Sequence, residues 1–194
     1  MTRPPLTPSQ TVGPFFHDCL LCTELHRNEL APSKTAGERI RIEGRVLDGD
    51  GQAVPDAVLE IWQANHDGRY NRYSDASSQP LDHSFIGFGR TGTDTEGIYW
   101  FETIKPGRVA LDDKTLQSPH ICVAVFARGL LNHLYTRIYF ADDPANSDDP
   151  VLRCVPFERQ STLLAKPDSN GDASVVYRFD IVLQGADETV FFNI

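Results

Sequence analysis

The sequence predicts an all-β protein, an antiparallel β-sandwich with long loops. Several segments alternate between apolar and polar side chains, which is the pattern of a strand with one face in a core. Turns rich in Gly, Pro, Asn and Asp separate these segments. About seven short strands joined by such turns are typical of an antiparallel sandwich or barrel.

The first half of the domain contains three predicted strands. Arg39–Asp48, "RIRIEGRVLD", alternates cleanly before "DGDGQ" turns the chain. Ala57–Ala64, "AVLEIWQA", is the second strand and leads into the turn "NHDGRY". Residues 71–89 form a loop of the length that often carries function. Gly97–Ile104 is the third strand, and "KPGRVALDDKTLQSP" is a second long loop.

The second half is predicted to add four strands and one helical segment. The strands are "HICVAVFAR" (120–128), "LYTRIYF" (134–140), "VVYRFDIVLQG" (175–185) and "TVFFN" (189–193). Pro150–Ala165 has helical character, with an interruption at Pro156. The proline-rich, polar beginning of the chain predicts an N-terminal arm over residues 1–38, either disordered or laid across a neighbour, before a β-sandwich domain over 39–194.

Charge and composition limit the kinds of partner. The 194 residues carry a net charge of −9, which argues against binding to nucleic acid or to an anionic membrane. No stretch is apolar enough to span a bilayer or to serve as a signal peptide, so we expect a cytoplasmic protein. "CLLC" has no second cysteine pair to complete a zinc site, and we expect all four cysteines to be free thiols: Cys19, Cys22, Cys122 and Cys154.

The segment "SPHICVAVFARG" raises the question of a metal site. Read as a strand, it places His120 and Cys122 on one face. A His-x-His pair in this setting would clamp a metal, but here the second position is a cysteine. Neither a G-x-S-x-G nucleophile motif nor a Gly-rich phosphate loop occurs in the sequence.

Six phrases in order resemble the intradiol ring-cleaving dioxygenases, over nearly the whole chain from Thr7. They are "TPSQTVGPFF", "LEIWQANHDGRY", "GFGRTGTDTEGIYWFETIKPG", "PHICVAVFARG", "YTRIYFADDP" and "YRFDIVLQGADETVFF". The resemblance implies a non-haem Fe(III) held by two tyrosines and two histidines. Phenolates are hard donors that suit a ferric ion and leave it room to chelate a catechol.

This sequence departs from the ligand pattern that the resemblance implies. Tyr70 stands at the first tyrosine position and His120 at the first histidine position. Val109 occupies the place of the second tyrosine, and Cys122 that of the second histidine. Valine donates nothing, and a thiolate is a soft ligand. We therefore expect these four positions to be vestigial, with no metal bound by this chain and no catalytic residue in a site of its own.

The resemblance instead implies the non-iron (α) subunit of a heteromeric enzyme. Its β subunit has the same fold and binds the iron, and the assembly cleaves 3,4-dihydroxybenzoate with O₂ to 3-carboxy-cis,cis-muconate. Two alternatives stay open. One is a homomeric intradiol dioxygenase with atypical iron ligands, and the other is a β-sandwich binding module without enzymatic activity.

The same resemblance implies which residues this chain contributes to substrate binding in the partner's active site. They are Thr11, Gly13, Pro14, Phe15 and Arg128. Eight extended residues span roughly 26 Å, so Arg128 is too far from His120 to serve the same site. An arginine keeps its charge when partly buried and binds carboxylates directionally. We also expect Phe15 and Phe16 to anchor the arm by burial.

Overall fold

The chain is built mainly from β-strands joined by short helical turns. The structure, a computed structural model, describes residues 8–22, 24–71, 84–168 and 175–193. Its strands are β1 (Arg39–Leu47), β2 (Val58–Gln63), β3 (Phe88–Gly92), β4 (Ile98–Ile104), β5 (His120–Phe126), β6 (Leu134–Phe140), β7 (Leu164–Asp168), β8 (Val175–Arg178) and β9 (Ile181–Val182). The α-helices are α1 (Pro14–Leu20) and α2 (Phe157–Gln160), with 3₁₀ turns at Pro144–Asp148, Leu152–Cys154 and Ser161–Leu163. Within these ranges, no helix is both long and apolar enough to cross a membrane.

The strands form one mixed sheet. Eight of them follow the path β3-β2-β5-β6-β7-β8-β1-β4, and β9 pairs with β1. The all-β class is confirmed, but the sheet is not antiparallel throughout, because β6 and β7, β1 and β8, and β1 and β9 run parallel. Parallel neighbours need a crossover connection. Between β6 and β7 that connection is made by the helical turns that the sequence predicted within residues 150–165.

The sheet curls so that its two ends meet over one core. β3 and β4 stand at opposite ends of the hydrogen-bonded path, yet they contact each other. Buried side chains from both ends belong to the same apolar cluster, among them Ile42, Ile61, Phe101 and Val125. Strand β1 shows the expected alternation of buried and exposed residues, because only one of its faces meets this core.

Residues 27–30 hydrogen-bond both end strands. Arg27 and Arg90 exchange two backbone bonds of 2.8 Å, and Leu30 N donates to Glu102 O at 2.8 Å. Glu102 N in turn donates to Asn28 O at 2.7 Å. Leu30 is 5% exposed and belongs to the core. This part of the predicted arm therefore joins the chain's own sheet, where the sequence suggested a disordered segment or one laid across a neighbour.

One α-helix and two strands were not predicted from the sequence. Helix α1 lies in the segment predicted as an arm, so the chain has more than one short helical segment. Strand β3 falls at the end of the predicted loop 71–89, of which residues 72–83 lie outside the described residues. An added Cβ at its Gly89 would lie 2.8 Å from Leu30 Cδ1 and 3.0 Å from the backbone oxygen of Arg27, so a side chain there would require its neighbours to shift. Strand β7 lies at the end of the predicted helical segment.

The last two predicted strands are shorter than the sequence suggested. Residues 175–185 contain β8 and β9, which are separated at Phe179 and Asp180. Residues 189–193 contain an isolated bridge between Phe192 and Tyr135 instead of a strand. The bridge is one backbone bond of 2.7 Å from Phe192 N to Tyr135 O.

Candidate functional site

Strand β5 has a group of candidate residues at each end. We call Tyr70, Val109, His120 and Cys122 the β5-start site. We call Thr11, Gly13, Pro14, Phe15 and Arg128 the β5-end site. His120 is the first residue of β5, and Arg128 follows its last residue by two positions. Strand β5 therefore lies between the two sites.

Two loops meet at the β5-start site. Gly107 N donates to Asn65 O at 2.9 Å, which fastens the loop that contains Val109 to the turn that contains Tyr70. Gly68 in this turn has a φ of +76°, and a side chain there would collide with the carbonyl oxygen of Arg108. The motifs "NHDGRY" and "IKPG" therefore pack against each other, and the glycines make that close approach possible.

Tyr70 and Cys122 are direct neighbours. The Tyr70 ring stacks on Trp62, with centroids 5.9 Å apart and planes 10° from parallel. Trp62 is the cross-strand partner of Cys122, and the Tyr70 side chain hydrogen-bonds the Cys122 thiol. Burial raises the pKa of Cys122, against the opposing effects of the Arg137 charge and the Tyr70 bond. The thiol is therefore protonated near neutral pH.

His120 is buried and neutral. Its Nδ1 donates to the carbonyl oxygen of Ser118 at 2.8 Å, because a carbonyl can only accept. This bond leaves Nε2 as the unprotonated ring nitrogen. Burial, followed by the charge of Arg137, lowers the pKa of His120 to about 4, while the bond to Ser118 and the charge of Asp149 oppose the shift.

Arg137 places a positive charge inside the β5-start site. It is the cross-strand partner of Cys122 on β6. Its Nη1 donates to Gln117 Oε1 at 2.8 Å and to the Tyr139 hydroxyl at 3.3 Å. Gln117 N donates to Val109 O at 2.7 Å, which links the arginine to the loop. Arg137 lies in the motif "YTRIYF", which by itself assigns it no role, because the β5–β6 register is needed to place it beside Cys122.

The donors of the β5-start site do not fit a ferric ion. Tyr70 and His120 offer a phenol and a free imidazole nitrogen, but the Val109 side chain is buried and apolar. The Cys122 thiol is a soft donor that burial keeps protonated. The Arg137 guanidinium repels a cation at the position of its cross-strand partner. Across the ranges described above, no cluster of three His, Cys, Asp or Glu side chains is suited to hold a metal.

At the β5-end site, the N-terminal segment packs on the chain's own β5–β6 connection. Thr11 Oγ1 accepts a hydrogen bond from Gly129 N at 2.8 Å. The Phe16 and Phe126 rings lie 5.4 Å apart between centroids. Val12, Phe16, Phe126 and Leu130 help to line a cavity of about 200 Å³. The structure thus brings the segment that contains Thr11 next to the residue after Arg128.

Phe15 and Phe16 have different environments. Phe16 packs on Phe126, whereas Phe15 is 78% exposed. We expected both rings to be buried, but within the described part of this chain only Phe16 packs against another ring. Gly13 is exposed, and its carbonyl accepts from Phe16 N at 3.0 Å at the start of α1. Pro14 is the first residue of α1, where a proline suits the missing N–H of the first turn. Its side chain lies outside the described part of the chain.

Arg128 is exposed and forms an ion pair. Its Nε lies 2.8 Å from Oδ2 of Asp56, and its side chain is 62% exposed. Asp56 precedes β2 and was not singled out in the sequence. The only sequence signal was "VPDA" at a turn, which does not reveal a partner 72 positions away.

Comparisons with known proteins agree with these observations. A family model described as Dioxygenase matches residues 12–185. The chain is 44% identical to a protocatechuate 3,4-dioxygenase alpha chain from Burkholderia cepacia, over all of both chains. It is 36% identical to the beta chain from the same organism, over 95% of this chain and 78% of the relative. A solved dioxygenase domain from Streptomyces sp. SirexAA-E superposes with a TM-score of 0.64 at 27% identity, over 83% and 89% of the two chains.

Proposed function

The chain belongs to the intradiol dioxygenase family, and from this we propose that it is the non-iron α subunit of a heteromeric protocatechuate 3,4-dioxygenase. The observation that carries the proposal is the full-length similarity to an alpha chain. The similarity to a beta chain of the same organism supports a partner of the same fold. The assembled enzyme cleaves 3,4-dihydroxybenzoate with O₂ to 3-carboxy-cis,cis-muconate in the cytoplasm.

The family is iron-dependent, and we assign the Fe(III) to the β subunit. The donor set of the β5-start site supports this assignment. Val109 and the protonated thiol of Cys122 stand in place of a tyrosine and a histidine ligand. The charge of Arg137 further disfavours a ferric ion. When bound in the partner, the iron supplies the Lewis acidity that activates a catechol. The residues of this chain act on the substrate by binding and by charge.

The β5-end site is this chain's contribution to the partner's pocket. Arg128 supplies a positive charge in a chain of net charge −9, and its exposed guanidinium binds a carboxylate or an oxyanion of the substrate. Thr11, Gly13, Pro14 and Phe15 form the segment that covers the substrate. The exposure of Phe15 supports this role, because an isolated phenylalanine of that exposure gains from burial against a partner.

Iron content and ring cleavage test the proposal directly. The chain is purified alone and after co-expression with a β chain of the B. cepacia type. We expect no iron and no activity from the chain alone, and both from the complex. Iron and O₂ uptake by the lone chain would favour a homomeric enzyme with atypical ligands. A complex that forms but stays inactive would favour a β-sandwich binding module.

Two variants of the β5-start site sharpen this test. Tyr70→Phe and His120→Ala remove the two family donors that the chain retains. In the proposed α subunit, the complex keeps its full iron content with either variant. Loss of iron would place the metal in this chain instead.

A further inference from the structure

Asp56 holds Arg128 at one edge of its guanidinium. The Nε of Arg128 lies 2.8 Å from Asp56 Oδ2, and the two side chains are 62% and 29% exposed respectively. The carboxylate is thus the more enclosed partner, and it belongs to a different turn from the arginine. A guanidinium is planar and rigid, so fixing Nε also limits where its two Nη groups can lie.

The turn that contains Asp56 is anchored to the core. Asp56 has a φ of 62°, and it is the only non-glycine residue with a positive φ in the described ranges. This conformation is unfavourable for residues with a side chain, although Asp and Asn tolerate it best. The next residue, Ala57, is fully buried, and its N donates to Thr93 Oγ1 at 2.9 Å. The backbone that carries the Asp56 carboxylate is therefore held in place.

The Asp56 carboxylate does not serve its own turn. Aspartates elsewhere in the chain close their turns by accepting backbone N–H bonds, as Asp48 does from Asp50 and Gln52. Asp94 does the same for Glu96 and Ile98. Asp56 Oδ1, by contrast, is buried, and no donor among the described residues reaches it. Burying a carboxylate oxygen without a hydrogen-bond donor destabilises the fold. Among the described residues, the positive charge of Arg128 offsets this loss by pairing with the same carboxylate.

The other side of Arg128 is also fixed. Ala127 before it is 1% exposed, and Gly129 after it donates its N–H to Thr11. The backbone on both sides of the arginine is thus held in place. Within the described part of the chain, Asp56 is the charged partner of Arg128, and the two side chains approach most closely at Nε. Neither Nη group donates a hydrogen bond to another residue of the described ranges, so both can reach an anion from outside this chain.

We infer that Asp56 is a positioning residue, which fixes Arg128 through Nε so that the two Nη groups bind the anionic aromatic substrate. This inference rests on the proposed function, in which Arg128 belongs to a pocket shared with the partner subunit. Asp56 itself does not touch the substrate. Its contribution therefore disappears when Arg128 is absent.

A double-mutant cycle in the assembled complex tests this inference. The variants are Asp56→Asn, Arg128→Ala and both together, since Asn tolerates the backbone of Asp56. We expect Asp56→Asn to raise the KM for 3,4-dihydroxybenzoate about fivefold with kcat nearly unchanged, and to have no further effect in the Arg128→Ala background. Calorimetric binding of 4-hydroxybenzoate, which lacks the second hydroxyl and is not cleaved, should show the same weakening in Kd.

Asp168→Asn is the matched control. Its carboxylate is 26% exposed and pairs with Arg178 at 3.4 Å, so it makes a comparable ion pair at the β7–β8 pair of strands. This variant should keep the wild-type KM and Kd. Asp56→Gly is a second test variant, because glycine adopts a positive φ without strain. A loss with both Asn and Gly then reports on the carboxylate and not on folding.

The outcomes separate this inference from the function it rests on. If Arg128→Ala weakens binding but Asp56→Asn does not, Asp56 has no positioning role and the proposed function stands. If Asp56→Asn still weakens binding without Arg128, Asp56 acts by another route and the inference is wrong. If the wild-type complex neither binds nor cleaves the substrate, the proposed function itself fails.

Discussion

The hydroxyl of Thr11 accepts a hydrogen bond from the backbone N of Gly129 at 2.8 Å, which joins two residues 118 positions apart in the chain. Gly129 directly follows Arg128 and has a φ of 88°. The bond therefore fastens the N-terminal segment to the turn that carries the arginine. Any movement of the segment at Thr11 is passed to the backbone beside Arg128.

Thr11→Val should impair substrate binding by the complex. Valine keeps the shape of threonine but cannot accept the Gly129 N–H bond, which is exposed and so adds little to global stability. We expect KM to rise about threefold to tenfold, with a melting temperature close to that of the wild type. Steady-state kinetics and thermal unfolding of the complex measure the two effects.

Thr11→Ser is the control for this prediction. Serine keeps the hydroxyl and should keep the wild-type KM. If Thr11→Val behaves like Thr11→Ser, then the bond to Gly129 does not organise the β5-end site.

The fold class was predictable because most strands have one face in the core. The alternation in Arg39–Leu47 follows directly from its burial pattern. Strand β3 was missed because two of its five residues, Gly89 and Gly92, have no side chain, and glycines hide the alternation. The parallel pairs could not be predicted either, since strand order depends on where the chain crosses over and not on local pattern.

Only those residues of the candidate sites that lie in recognisable sequence motifs could be predicted. The missing ligands at Val109 and Cys122 are visible in the sequence itself. Asp56 and Arg137 act through tertiary neighbours, namely Arg128 and Cys122. Neither partnership leaves a local pattern, because each depends on a contact between distant segments.

The buried His120 should make stability fall in acid. Its folded-state pKa of about 4 is below the ordinary value of 6.5, so the unfolded chain binds a proton more readily between these values. The contribution of the neutral His120 to the free energy of unfolding is fully present above pH 6.5 and is lost as pH falls towards 4. The loss is about 3 kcal/mol at most. Urea unfolding of the chain at pH 7 and at pH 4.5 measures this loss.

His120→Asn should remove the part of the acid-induced loss of stability that comes from His120. The asparagine amide keeps a donor for Ser118 O and does not titrate. The exposed His66 provides the matched change, His66→Asn, which should retain the wild-type slope. Equal slopes for wild type and His120→Asn would show that another group controls acid stability.

The Tyr99 hydroxyl should contribute to the stability of the core. It donates to the carbonyl oxygen of Phe179 at 2.6 Å, and both residues are buried. Tyr99→Phe leaves that carbonyl without this donor, so we expect the free energy of unfolding to fall by about 1–3 kcal/mol. Chemical denaturation gives the value. Tyr135→Phe is the comparison, since no hydrogen bond from the Tyr135 hydroxyl is recorded in the described part, and an equal loss there would contradict the assignment.

Restoring the family's donors to the β5-start site should not by itself restore iron binding. Val109→Tyr with Cys122→His supplies the two missing ligand types, but Arg137 stays at the cross-strand position of residue 122, where its charge opposes a trivalent cation. We expect the double variant to bind little iron, and the triple variant with Arg137→Gln to gain it. Elemental analysis and the visible absorption of ferric phenolate measure occupancy. Arg137→Gln alone should stay iron-free, since it lacks donors. If the double variant binds as much iron as the triple variant, the Arg137 charge does not exclude the metal.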